Sequence, residues 1–95
     1  MPNVLESINL KKLVTEMHAP NGVGIKNRRL WLRTYPKVFV GCEAVTWFKS
    51  QYNLSTEQAI HLGNLLVQNK LIHHVLDRHN FKNEYLFYRF YWDEV

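Results

Sequence analysis

Apolar positions recur with two different periods along this 95-residue chain, and the switches between them mark the elements. From Ser7 the period is helical: Leu10, Leu13, Val14 and Met17 stand at i, i+3, i+4 and i+7. The pattern predicts a first helix with Ser7 as its N-cap. Ala19-Pro20-Asn21-Gly22 stops that helix, because the residue before a proline resists α geometry and Asn-Gly favours a turn. Between Val23 and Val40 the period falls to two. Arg28, Leu30 and Leu32 alternate with Arg29, Trp31 and Arg33. Tyr35-Pro36-Lys37 interrupts the ladder, since Pro36 has no N–H to donate. Val38-Phe39-Val40 resumes it and Gly41 ends it, so the expected unit is strand, turn, strand.

The helical period returns from Glu43 to Tyr52, where Val45, Phe48 and Tyr52 form a stripe that Ala44 and Trp47 widen. A third helix opens at Ser55-Thr56-Glu57-Gln58, the spacing of a capping box in which Ser55 and Gln58 satisfy each other's backbone N–H. Ala59, Leu62, Gly63 and Leu66 give its core face. Gly63 costs roughly 1 kcal/mol against Ala in mid-helix, which close helix packing would offset. His73–Asp77 and Glu84–Phe90 read as a closing hairpin joined by residues 78–83. Leu86, Tyr88 and Phe90 share one side of its second strand, and Tyr85, Phe87 and Arg89 the other. Helix, hairpin, helix, helix, hairpin is the order of an α+β domain of winged-helix type. The expected boundaries are a flexible lead-in over residues 1–6, a single domain over 7–92 and a tail over 93–95.

Composition narrows the class. Apolar residues make up 46% of the chain, with three Trp, five Tyr and five Phe, enough for one small core. No apolar run reaches the length of about 18 residues that a membrane span needs. The first residues lack the basic flank and apolar run of a signal peptide. A single Cys42 makes no internal disulfide, which fits a reducing, cytoplasmic setting. Net charge is +4, and its distribution says more than its size. Lys11 to Lys37 holds seven basic residues against Glu16 alone, while the remainder is slightly acidic. A basic third favours anionic partners such as acidic phospholipid, nucleic acid or acidic peptide. The plainer alternative is a solvated, solubilising face.

The candidate site is the basic strand region. On one strand Arg29, Trp31 and Arg33 would project to the same side. An indole suits the headgroup zone and a guanidinium can grip a phosphate with two hydrogen bonds. Lys26 and Lys37 extend the set. In the plainer alternative Trp31 packs on the first helix beneath the two Arg stems. Arg28 is expected to be structural, because Leu30 and Leu32 share its side. Five His residues lack the spacing of a metal site, so no metal or other cofactor is expected. Asp77 and His79 have no evident nucleophile, Ser50, Ser55 and Thr56 lie in turn or cap contexts, and Cys42 reads as a small buried thiol. Gly22-Val23-Gly24 lacks the spacing of a phosphate loop. These residues argue against an enzyme. Nucleic acid is the rival for a winged helix, but Thr56–Asn69 contains neither Lys nor Arg, a poor recognition helix. A third option is protein interaction, by pairing of a strand edge or by exchange of the arm in a weak dimer.

Several phrases carry a resemblance. Ile25-Lys26-Asn27-Arg28-Arg29, Thr34-Tyr35-Pro36 and Phe39-Val40-Gly41-x-Glu43-Ala44-Val45-x-Trp47-Phe48 occur in that order. Ala59-x-x-Leu62-Gly63, Leu71–Val75 and the closing Phe81–Phe90 follow. Together, over residues 10–90, they resemble the DEP domain, named for dishevelled, EGL-10 and pleckstrin. The resemblance implies a three-helix core, a β-hairpin arm between the first two helices and a C-terminal β-hairpin. It also implies a non-catalytic signalling module that brings its parent protein to the inner face of membranes through acidic phospholipids or receptor tails. One departure stands out: where the family usually places Ser or a similar cap, this chain has Cys42. A thiol caps poorly, so the second helix is expected to start less firmly.

Overall fold

The computed structural model describes residues 4–94. A first helix, α1 (Leu10–Met17), buries Leu13, Val14 and Met17. Its cap is Asn9 and not Ser7: the Asn9 side-chain oxygen accepts from the N–H groups of Lys11 (3.0 Å) and Lys12 (3.2 Å). Ser7 instead closes a 3-10 turn, Val4–Ser7, whose Leu5 is buried in the core. The expected lead-in is thereby corrected at Leu5; residues 1–3 lie outside the described residues.

The arm follows as β1 (Lys26–Leu30) and β2 (Arg33–Val40), then α2 (Gly41–Tyr52), α3 (Thr56–Gln68), β3 (Ile72–His74) and β4 (Phe87–Phe90). All pairings are antiparallel, in the order β1-β2-β4-β3. The long strand β2 serves two purposes. Its outer part pairs only with β1, while Phe39 and Val40 pair with Tyr88 and Phe87 of the terminal hairpin. The arm is therefore a continuation of the body's sheet. The winged-helix-like α+β fold stands as expected, three helices with a four-stranded antiparallel sheet.

Alternation along β2 splits the apolar residues between two clusters. Phe39 enters the main core with Phe48, Leu62, Phe81, Tyr88 and Phe90. Val38 and Val40 join Phe87 on the opposite face, edged by Tyr35, Cys42 and Val75. The start of α2 does not depend on position 42. No side chain caps it; its first N–H groups donate to the carbonyls of Leu86 (2.9 Å) and Glu84 (3.0 Å) across the sheet. The expectation of a loose start is corrected, because a distant backbone supplies the acceptors that Cys42 cannot.

The capping box of α3 is present, with both Ser55–Gln58 bonds made. Gly63 accommodates Phe81 and not a helix: a Cβ there would lie 2.0 Å from the Phe81 ring. Asn64 holds the same residue by its backbone, accepting from the Phe81 N–H (3.0 Å) and donating to its carbonyl (3.1 Å). Tyr88 donates to the Asn80 carbonyl and accepts from the Lys82 N–H, so the connection between β3 and β4 is pinned at both flanks of Phe81. Burial raises the Tyr88 hydroxyl above its ordinary pKa. Tyr52 ties α2 to α1 through Glu16 (2.6 Å); burial and that carboxylate push its hydroxyl up to about 12. The expected tail is also held at its start. Asp93 bonds to His18 at 2.9 Å and Glu94 to His73, while Val95 lies outside the described residues.

Candidate functional site: the hairpin arm

Pairing of Leu30 with Arg33 leaves Trp31 and Leu32 as a two-residue loop at the arm's tip. Trp31 has φ +59°. A bulky residue there is costly, since L side chains crowd the backbone in this region. Both loop residues are 90% exposed, so the alternative in which Trp31 packs on α1 does not hold. The chain turns two residues after Arg29 and not at Pro36. Pro36 and Lys37 instead form a bulge opposite Asn27, whose side chain accepts from the Lys37 N–H at 3.1 Å while Lys37 takes φ +53°.

This corrects the expected alignment of Arg29, Trp31 and Arg33. Arg29 pairs with Thr34, and Leu30 with Arg33, so the two arginines lie on opposite faces of the ribbon with the tip between them. Arg29 donates from Nε to the Trp31 carbonyl at 3.2 Å, and its guanidinium stays close to the loop. Arg33 lies over the Tyr35 ring, 5.1 Å from its centroid. Lys26 and Lys37 stand apart from this trio at the base of the arm, where Lys26 pairs with Val38. Lys37 also lines an open depression of about 600 Å³ with Pro36, Arg89, Asp93 and Glu94, in which Arg89 and Glu94 approach to 3.7 Å.

Charge at the site is uncompensated. Among the described residues, none of Lys26, Arg29, Arg33 and Lys37 has a carboxylate within ion-pair distance. Arg28 differs. Its guanidinium bonds the carbonyls of Gly24 (2.7 Å) and Val38 (3.4 Å) and pairs with Glu43 at 3.3 Å, so it fastens the arm's base to α2. The structural role expected for Arg28 is present, for a reason other than the one offered by alternation.

Leu32, which the alternation puts on the strand beside Leu30 and Arg28, belongs to the loop at the tip. The available signal was three adjacent apolar residues, Leu30-Trp31-Leu32, between the basic Arg29 and Arg33. No helix among the described residues is long and apolar enough to cross a membrane, and no group of His, Cys, Asp and Glu among them could hold a metal.

Comparison with known proteins places this arrangement. Residues 22–90 match the family described as "Domain found in Dishevelled, Egl-10, and Pleckstrin (DEP)". The chain is 48% identical over 71 residues to the mouse phosphatidylinositol 3,4,5-trisphosphate-dependent Rac exchanger 1 protein, covering 74% of the chain and 4% of that protein. It is 36% identical over 88 residues to the vacuolar membrane-associated protein IML1 of Yarrowia lipolytica, covering 88% of the chain and 6% of that protein. The chain thus spans a few per cent of the length of these relatives. The solution structure of the human pleckstrin DEP domain superposes with a TM-score of 0.77 at 18% identity, covering 98% of this chain and 81% of that one. The mouse pleckstrin DEP domain gives 0.74 at 17% identity, with 94% of each chain covered.

Proposed function

The chain belongs to the DEP family of non-catalytic signalling modules, and we propose that it recruits its parent protein to membranes by setting the arm's tip into an anionic bilayer surface. The observation that carries this is the Trp31-Leu32 loop: two large apolar side chains, almost wholly in water, flanked by Arg29 and Arg33 with no internal counter-charge. Indole and leucine gain by leaving water for the interfacial zone, and each basic side chain near an anionic surface adds roughly 1 kcal/mol. Lys26 and Lys37 at the arm's base add longer-range attraction that salt screens. The names of two relatives, one dependent on a phosphoinositide and one associated with a vacuolar membrane, are consistent with this reading.

The test is co-sedimentation with phosphatidylcholine vesicles, with and without phosphatidylserine. The native chain pellets with the anionic vesicles, and less so as salt rises. The Arg29→Glu/Arg33→Glu pair lowers the partition by at least about tenfold. Equal pelleting of the native and doubly reversed chains would remove the tip from membrane binding.

One observation favours a second reading. β1 is the outer strand of the sheet, so its far edge is open to another extended chain. Lys26 and Arg29 on that strand repel a second copy and suit an acidic receptor tail better than a self-exchanged dimer. Binding of an acidic peptide that survives loss of Trp31 and Leu32 would favour that partner.

A further inference from the structure

The tip is continuous with a second exposed apolar area, and that area has a direction. By register, Leu30 and Arg33 share one face of the arm with Arg28 and Tyr35; Asn27, Arg29 and Thr34 occupy the other. On the Leu30 face the apolar surface does not stop at the arm. Tyr35 meets Phe87 edge-on at 5.7 Å, and Phe87 meets Tyr85 edge-on at 5.5 Å. Leu30, Tyr35, Val75, Leu76, Tyr85 and Phe87 line one shallow groove between the arm and the terminal hairpin. Its rims are well exposed: Leu30 by 42%, Leu76 by 41% and Tyr85 by 59%. The groove holds about 60 Å³, too little for a peptide strand or a cofactor. A shallow, rimmed surface of this kind fits a broad partner that meets the rims together.

Charge indicates which partner. Arg33 sits on the Leu30 face of the arm, over Tyr35. At the other end, Leu76 and Tyr85 bracket the connection that carries the exposed Arg78 and Lys82. That connection also carries two carboxylates: Asp77 is engaged by His73 at 2.7 Å, and Glu84, next to Tyr85 in the chain, is exposed. An apolar strip with tyrosines along it and the unpaired Arg33 at its arm end matches an anionic bilayer interface.

We infer that the domain lies side-on against an anionic membrane, with the Leu30 face of the arm turned to the lipid and Leu76 and Tyr85 as a second foothold, instead of standing end-on at the tip. This rests on the membrane reading above and adds an orientation to it. Side-on docking brings Arg33 to the headgroups and turns Arg29 and Thr34 away.

Nitroxide depth measurements test it on vesicles of phosphatidylcholine and phosphatidylserine. Single labels are introduced by Leu32→Cys, Thr34→Cys, Leu76→Cys and Tyr85→Cys in a Cys42→Ser background. All four positions lie outside the closed core, so folding is not at risk. Labels at 32, 76 and 85 below the phosphate level, with the label at 34 in water, are the expected result. A label at 32 below the phosphates with those at 76 and 85 in water overturns the side-on inference and leaves membrane recruitment standing. Labels at all positions in water on bound protein overturn both. Arg33→Ala weakens partition about fivefold and Arg29→Ala by under about twofold; equal losses count against the stated orientation.

Discussion

Phe39 and Trp31 belong to the same hairpin and live under different rules. Phe39 is enclosed, with its ring 5.2 Å from that of Phe90 and 6.0 Å from that of Tyr88. Trp31 stands in water at a backbone angle that costs a non-glycine residue roughly 1–2 kcal/mol. In the core, burial explains each large side chain: a smaller one leaves a hole and a larger one collides. At the tip, packing explains nothing, and local backbone preference argues for glycine. A tryptophan that opposes its own backbone and is 90% exposed has no account in the packing of the domain, which is why the proposed membrane contact is placed at the tip. The two regions therefore separate into residues that fold the domain and residues that the folded domain presents.

The sharpest way to break this division is through Phe81. It lies in the connection between β3 and β4, a stretch that reads as loop, yet it is fully buried against Gly63 and Phe48. Phe81→Ala should cost about 3–5 kcal/mol in urea unfolding. A cost under about 1 kcal/mol would mean that the connection is presented surface and not part of the body. Trp31→Gly tests the other side and should move stability and binding in opposite directions. Relief of the left-handed conformation, less the greater freedom of glycine in the unfolded chain, leaves a gain of about 0.5–1 kcal/mol. Partition onto anionic vesicles should fall at the same time. A variant that loses stability would show that the indole has a packing role in the fold after all.

How much of this was legible in the sequence follows from how local each cause is. The capping box of α3 needs only Ser55 and Gln58 at the right spacing, and it is present as read. The α1 stripe of Leu13, Val14 and Met17 is likewise a matter of one helix turn. The start of α2 was misjudged because its acceptors, the carbonyls of Glu84 and Leu86, come from the far end of the chain. The arm's cations were legible from charge alone, but their faces were not. Counting by twos holds only inside a strand, and the chain reverses at Trp31-Leu32 without the Gly or Asn that would announce a tight loop. The interruption that Pro36 announces is present, as a bulge and not as the turn: Asn27 holds Lys37 in place, and the Pro36 carbonyl accepts from Arg89 Nε at 2.9 Å.

The smallest expected effect lies in the body, at two adjacent histidines that point to opposite sides of β3. His73 bridges Asp77 and Glu94 and stacks on Tyr91 at 4.4 Å. Burial opposes its charge, but the two carboxylates outweigh burial and hold its pKa above the ordinary 6.5. His74 is buried with its Nδ1 accepting from the N–H groups of Leu76 (3.2 Å) and Arg78 (3.4 Å), which requires a neutral ring. Burial, then the nearby His79, lowers its pKa. The signs are opposite. The raised His73 binds its proton more tightly in the folded state, so its contribution is full below 6.5 and is lost as pH rises through the folded value. The lowered His74 contributes above 6.5, and that contribution is lost as pH falls through its folded value. NMR titration should show His73 titrating above 6.5 and His74 below it. In urea unfolding, His73→Gln should lose most against the native chain on the acid side of the folded His73 pKa and least on the alkaline side. The reverse order would mean that Asp77 and Glu94 do not hold a charged ring, and that the turn bearing Leu76 is positioned by His74 alone.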